Sequence, residues 1–144
     1  MKENPLNLAA VVSQFVCTAD VDSSRPYGSG HINDSFYLKN KFAAQPGYLL
    51  QRINHQIFTN VPGLMNNMVL VTAHLKRKVI QSGIGDPEQA VMTLIPGVDG
   101  QYYYQDPSGN YWRMFYFLEH TRSYDLVTSE KQANEGGKAF GRFQ

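Results

Sequence analysis

Apolar and polar positions divide the chain into short alternating runs and a few stretches of helical spacing. Leu6, Ala9, Ala10, Val12 and Phe15 fall near one stripe, and Asn4-Pro5 suits a helix start, so the pattern predicts a helix over Pro5–Val16. Thr18–Pro26 turns polar, with Val21 alone among Asp20, Asp22, Ser23 and Ser24, and predicts at best a short or irregular first strand. Phe36 and Leu38 then alternate with Ser35 and Tyr37, which predicts a strand over Asp34–Lys39, and Asn40–Pro46 is a connection. Gly47–Ile53 reads as the next strand. Alternation places Tyr48, Leu50 and Arg52 on one face and Leu49, Gln51 and Ile53 on the other.

Asn60–Ser82 is the strongest helix. Asn60 is its cap and Pro62 sits in its first turn, while Val61, Leu64, Met65, Met68, Val71, Leu75 and Val79 recur at helical spacing. Lys76, Arg77 and Lys78 suit its last turn and Gly83 its end. The methionines read as core filler. Ile84–Gln89 is a loop, and Ala90–Ile95 a strand broken by Pro96-Gly97. Gln101–Gln105 and Tyr111–Leu118 flank Asp106-Pro107-Ser108-Gly109-Asn110, a hairpin pattern. In the second arm Trp112, Met114, Tyr116 and Leu118 alternate with Arg113, Phe115 and Phe117. A strand apolar on both faces is central or covered on both sides.

From Leu118 to Asp125 the alternation stops, and the segment reads as a linker. A last helix begins near Thr128-Ser129, with Gln132 at capping-box distance from Ser129. Its Gly136, Gly137 and Gly141 suggest close backbone packing, and the absence of a stop signal before Gln144 reads as truncation in the first helix of a second domain. The division expected is an N-terminal helix over 1–17, a sheet-and-helix unit over 18–120, and a linker with the start of a further lobe over 121–144.

Composition adds limits. The 144 residues are 42% hydrophobic, 17% charged and 12% aromatic, enough for one cored domain or a piece of a larger one. A net charge of +1 gives no strong field for nucleic acid or an anionic membrane. Cys17 is the one cysteine, so no internal disulfide forms, which fits a reducing compartment; it reads as a small buried hydrophobe. No apolar run reaches the roughly 18 residues of a membrane span, and no signal peptide is evident, so the expected location is cytoplasmic.

The chemistry centres on Tyr27-Gly28-Ser29-Gly30-His31-Ile32-Asn33-Asp34-Ser35-Phe36. Two glycines one residue apart between strands make either a plain hairpin turn or a loop open enough for phosphate to reach backbone N–H groups. Only G-x-G is present, with Asn33 where a third glycine would stand. Arg52 is either an edge-strand arginine that snorkels to water or a cation placed over that turn's ligand. Tyr102, Tyr103, Tyr104, Tyr111, Trp112 and Tyr116 either pack around the hairpin or furnish an aromatic groove. Arg113 is the one basic residue interleaved with them, which argues against a nucleic-acid surface.

The order of elements resembles the N-terminal lobe of protein-kinase-like small-molecule phosphotransferases, the aminoglycoside phosphotransferase/choline kinase superfamily. Within it the chain is most similar to the N-acetylhexosamine 1-kinases. The resemblance rests on Gly28–Phe36, Leu50-Gln51-Arg52-Ile53-Asn54-His55-Gln56-Ile57-Phe58, Leu64-Met65-Asn66-Asn67, Tyr111-Trp112-Arg113-Met114, Glu119-His120-Thr121 and Gly137–Gln144, which together span most of Gly28–Gln144. It implies an α+β fold: an antiparallel sheet of about five strands with one long helix packed on it, an N-terminal helix, and the start of a C-lobe helix. It implies that the backbone of Gly28, Ser29, Gly30, His31, Ile32 and Asn33 covers the phosphates of ATP. Arg52 then stands where these enzymes keep a lysine. The long helix holds no acidic residue to pair with it; Asn67, or its neighbour Asn66, is the nearest polar candidate. Leu118, Glu119 and His120 fall in a hinge whose backbone meets the adenine edge, with Phe117 and Leu118 against the ring.

The same resemblance implies transfer of the γ-phosphate of Mg-ATP to a sugar hydroxyl, the anomeric hydroxyl of an N-acetylhexosamine. None of the four histidines has aspartate two residues on. The catalytic base and the magnesium ligands are therefore expected in a C-terminal lobe, and no catalytic residue is assigned in this chain. The alternative is a non-catalytic α+β module that binds a partner or small ligand in the aromatic groove.

Overall fold

The computed structural model describes residues 7–143 apart from His31, Ile84, Arg122, Ser123 and Asp125. Five antiparallel strands form one open sheet: β1 (Ala19–Pro26), β2 (Asp34–Asn40), β3 (Tyr48–Ile53), β4 (Tyr104–Gln105) and β5 (Tyr111–Tyr116), in the order β1-β2-β3-β5-β4. Four helices accompany them: α1 (Leu8–Val12), α2 (Val61–Ser82), α3 (Pro87–Ala90) and α4 (Glu130–Phe143). The α+β class and the open five-stranded sheet match the expectation.

The sheet is covered on both faces because its central strands are apolar on both. Leu38, Tyr48, Leu50, Trp112 and Met114 point one way and pack with Val11 and Val12 of α1, Phe15, Ala19 and Ile95. Ile53 and Phe115 point the other way and pack with Val61 and Met65 of α2, with Leu49, Leu64 and Met68 partly buried beside them. The two faces are called here the α1 face and the α2 face.

Several elements differ from expectation for local reasons. The described part of the first helix is shorter, Leu8–Val12, with the Asn7 side chain accepting from Ala10 N–H; Pro5 and Leu6 lie outside the described residues. The first strand is a full eight residues, and its polar middle is a register irregularity between Asp20 and Arg25. Ser23 fills the break: its Oγ accepts from Lys39 N–H at 2.8 Å and donates to the Asp20 carbonyl at 2.6 Å. The strand expected over Ala90–Ile95 is replaced. Asp86 caps a helical turn by accepting from Glu88 N–H, and that turn takes Pro87–Ala90. What remains is one bridge from Leu94 to Phe115, flanked by Ile95 N–H to the Met114 carbonyl and Tyr116 N–H to the Thr93 carbonyl. Pro96, which has no N–H to give, ends it. Beyond the turn only Tyr104–Gln105 pairs as a strand, where Gln101–Gln105 was expected.

Helix α2 starts and stops as its caps dictate. Asn60 accepts from Gly63 N–H, and Gly83 takes the left-handed conformation. Val71 is exposed rather than inward, and Lys76–Lys78 lie ahead of the last turn. Helix α4 forms, and half of the expected box with it: Gln132 N–H meets Ser129 Oγ, while Gln132 Oε1 accepts from the N–H of Thr128, one residue before Ser129. A Cβ at Gly136, Gly137 or Gly141 would meet nothing within 4 Å, so the close packing inferred from these glycines is not seen. Among the described residues no helix is long and apolar enough to cross a membrane.

The hairpin turn carries one carboxylate with many donors. Asp106 accepts from Ser108 N–H, Asn110 N–H, the Asn110 amide and Trp112 Nε1–H, the last at 2.9 Å. Burial alone raises its pKa, but the bonds from Trp112, Asn110 and Ser108 outweigh this and carry it below the ordinary 3.8. A depressed carboxyl stabilises the fold above its unfolded value and loses that contribution as pH falls through the folded one. Thermal unfolding is therefore expected to show an acid limb beginning near pH 3.8. Asp106→Asn flattens that limb in a melting series from pH 5 to 2; an unchanged limb counts against the assignment.

Candidate functional site

The α2 face of the sheet continues beyond the helix toward β1 and β2. There Tyr37 of β2 stands next to Leu49 of β3, and Arg25 of β1 next to Tyr37. Phe117, just past β5, lies edge-on to Tyr37 at 4.8 Å between centroids and to Tyr27 at 5.0 Å. The Arg25 guanidinium sits 4.9 Å over the Tyr37 ring. Tyr27 is the residue before Gly28, so this aromatic cluster ties the base of the glycine turn to the base of the expected hinge.

Gly47 makes the arrangement possible. A Cβ there would stand 2.8 Å from the Tyr37 ring and 2.9 Å from the Leu38 carbonyl, so only glycine lets the ring lie flat against the chain. Its carbonyl also accepts from Phe117 N–H at 2.8 Å. An open groove of about 1090 Å³ runs past these residues, lined by Tyr37 and Lys39 on one side and Phe117, Leu118, Glu119 and His120 on the other. The segment after β5 turns sharply: His120 has φ 58° and Thr121 Oγ1–H donates to the Leu118 carbonyl at 2.9 Å. A Lys76–Glu88–Thr93 triad closes the α3 side. Lys76 Nζ lies 2.7 Å from Glu88 Oε1 and from Thr93 Oγ1, which itself donates to Glu88 Oε2. The bond from Lys76 first, then that from Thr93, holds the Glu88 carboxyl below its usual range.

Gly28 has φ 82°, and a Cβ at Gly28 or Gly30 would meet nothing within 4 Å. Gly28, Ser29, Gly30 and Ile32 are exposed; His31 lies outside the described residues. Asn33 plays another part: its Oδ1 accepts from Asn54 N–H at 2.9 Å and fastens the turn to the end of β3.

Arg52 is placed on the α1 face, opposite Trp112 and Asp34, with its side chain one-third exposed. Its Nε donates to Asp34 Oδ2 at 2.7 Å. Asn67 is exposed on α2, 200° around the helix from Met65 by the turn per residue, and so faces away from the sheet. The expected partnership of Arg52 with an α2 amide is therefore not formed. Strand alternation fixed Arg52 with Leu50, and α2 covers the other face.

The α2 face holds different polar groups in that row. Ser35, Gln51 and Arg113 stand side by side on β2, β3 and β5. Arg113 Nε donates to Gln51 Oε1 at 3.0 Å, and Gln51 Nε2 donates to Ser35 Oγ at 2.9 Å. Arg113 is only 8% exposed, with Nη1 3.8 Å from Met68 Sδ and the guanidinium carbon 5.3 Å from the Phe115 ring centroid. Burial lowers its pKa, yet a guanidinium stays charged at neutral pH. No carboxylate pairs with it among the described residues.

The sequence flagged neither this row as a unit nor Tyr37 and Gly47, and it marked Tyr27 only as the start of the glycine stretch. The available signal was a charged residue in a strand apolar on both faces, directly across from a glutamine.

The aromatic residues of the alternative are largely spent on packing. Trp112 is buried, Tyr48 stacks on Tyr116 at 5.3 Å, and Tyr103 and His55 lean on Tyr111. Tyr102 and Tyr103 line a recess of about 180 Å³ beside α2, below the roughly 300 Å³ of small-molecule sites. Among the described residues no three His, Cys, Asp or Glu side chains gather to share a metal ion. No protein-family model matches the chain.

Proposed function

We propose that this chain is the ATP-binding lobe of a small-molecule phosphotransferase, the class it resembles. The supporting observation is the Tyr27–Tyr37–Phe117 cluster, which brings the glycine turn and the hinge onto the same sheet face as α2. A purine against Tyr37 and Phe117 puts its edge near the backbone of Leu118, Glu119 and His120. Ser35 lies two residues from Tyr37, about 7 Å along the same face by strand rise, roughly one sugar's length. The phosphates then lie under Gly28–Asn33, whose N–H groups serve as donors.

The acceptor is the anomeric hydroxyl of an N-acetylhexosamine, and its proton goes to a carboxylate of the protein's own C-terminal lobe. The test is ADP release by the full-length protein from Mg-ATP, with and without an N-acetylhexosamine. Sugar-dependent release with a sugar 1-phosphate as product is expected. ATP binding without turnover on any hexose would remove the acceptor assignment and leave the nucleotide site.

A further inference from the structure

The geometry points to Gln51 as the side chain on the cleft face that donates to a phosphate oxygen, and to Arg113 as the buried cation that orients and polarises it. The inference rests on the nucleotide reading above and adds residues which that reading does not contain.

An amide can present either end, but its two partners settle the matter here. Arg113 Nε–H is a donor only, so the Gln51 end 3.0 Å away is the carbonyl oxygen. The NH2 end is thereby turned toward β2, where one N–H meets Ser35 Oγ at 2.9 Å. The second N–H has no partner among the described residues. Ser35 is the second residue after the glycine turn, so this donor lies under the turn's exit, on the face that Tyr37 and Phe117 share. A positive charge hydrogen-bonded to the carbonyl end strengthens the donors at the other end.

The burial of Arg113 carries the rest. A guanidinium taken out of water is costly without an anion, and here an amide oxygen, two thioethers and the face of the Phe115 ring stand in for one. An anionic ligand at Gln51 would supply the missing countercharge through one intervening amide. Arg113 is thus a positioning residue acting through Gln51. Arg52, held by Asp34 on the other face, takes no part.

The test is calorimetric titration of the full-length protein with ATP and, separately, with adenosine, which lacks phosphate. Gln51→Leu and Arg113→Met should each weaken ATP binding about ten- to hundredfold, the worth of one hydrogen bond to a charged group. Adenosine affinity should stay within about twofold. The double variant should lose little more than either single one.

Gln51→Glu separates function from packing. It gives Arg113 a carboxylate, so the melting temperature should rise, yet it removes the amide donor and adds a negative charge, so ATP affinity should fall. This variant also decides the matter should Arg113→Met fail to fold. Wild-type ATP affinity in Gln51→Glu, or equal losses for ATP and adenosine in the other variants, overturns the inference while the nucleotide site stands. A wild-type protein that binds neither ligand overturns both.

Discussion

Replacing Trp112 with alanine is expected to cost about 3–5 kcal/mol, the range for deleting a fully buried aromatic side chain. Trp112 is 1% exposed and lies in the α1-face core with Leu38, Leu50 and Met114. Its ring contacts Phe36, and its Nε1–H is one of the donors that hold the Asp106 turn. The substitution opens a cavity in the middle strand region and takes a charge-directed hydrogen bond from the hairpin. Because a domain is stable by only about 5–15 kcal/mol, much of the margin goes at once. Urea unfolding followed by far-ultraviolet circular dichroism measures the loss. Trp112→Phe keeps most of the packing and should lose only the indole bond, about 1.5–3 kcal/mol for a bond to a carboxylate. A Trp112→Ala loss under about 1 kcal/mol would mean that the site refills, and that this side chain is not the centre of its core.

The second large effect concerns the cleft. Phe117→Ala and Tyr37→Ala are each expected to weaken binding of ATP and adenosine alike by about tenfold or more, since a ring stacked on a base is worth about 1–3 kcal/mol. Both rings line or border the groove, and each is held by the other and by Gly47. The equal loss for the two ligands distinguishes these positions from Gln51 and Arg113, whose loss should fall on ATP alone. Phe117→Leu should recover part of the affinity by restoring apolar contact without the stacking. Unchanged adenosine binding in both alanine variants would remove the purine from this end of the groove.

How much of this was legible beforehand follows from what each pattern encodes. The strands from Asp34 to Ile53 and the hairpin were legible because a period of two and the Asp106–Gly109 turn are local signals. Helix α2 was legible from its caps. The Ala90–Ile95 strand was not, because Asp86-Pro87 starts a helical turn as readily as it ends a loop, and only the pairing of Leu94 with Phe115 decides which residues extend. The face of Arg52 relative to its neighbours was plain from alternation. Which face α2 would cover was not, since Leu49 and Leu50 are equally apolar and either could take the helix. That single choice moved the polar row of the cleft from Arg52 to Gln51 and Arg113. The aromatic cluster depends on contacts between Tyr27 just past β1, Tyr37 of β2 and Phe117 just past β5, and no local spacing reports those.

Backbone hydrogen exchange of the full-length protein, with and without Mg-ATP, tests most directly whether a nucleotide binds between the glycine turn and the segment after β5. The expected result is slowed exchange over Tyr27–Asn33 and over Phe117–His120, with Tyr102–Tyr104 unchanged. Protection confined to Tyr102–Tyr104, or none at saturating ATP, would contradict it.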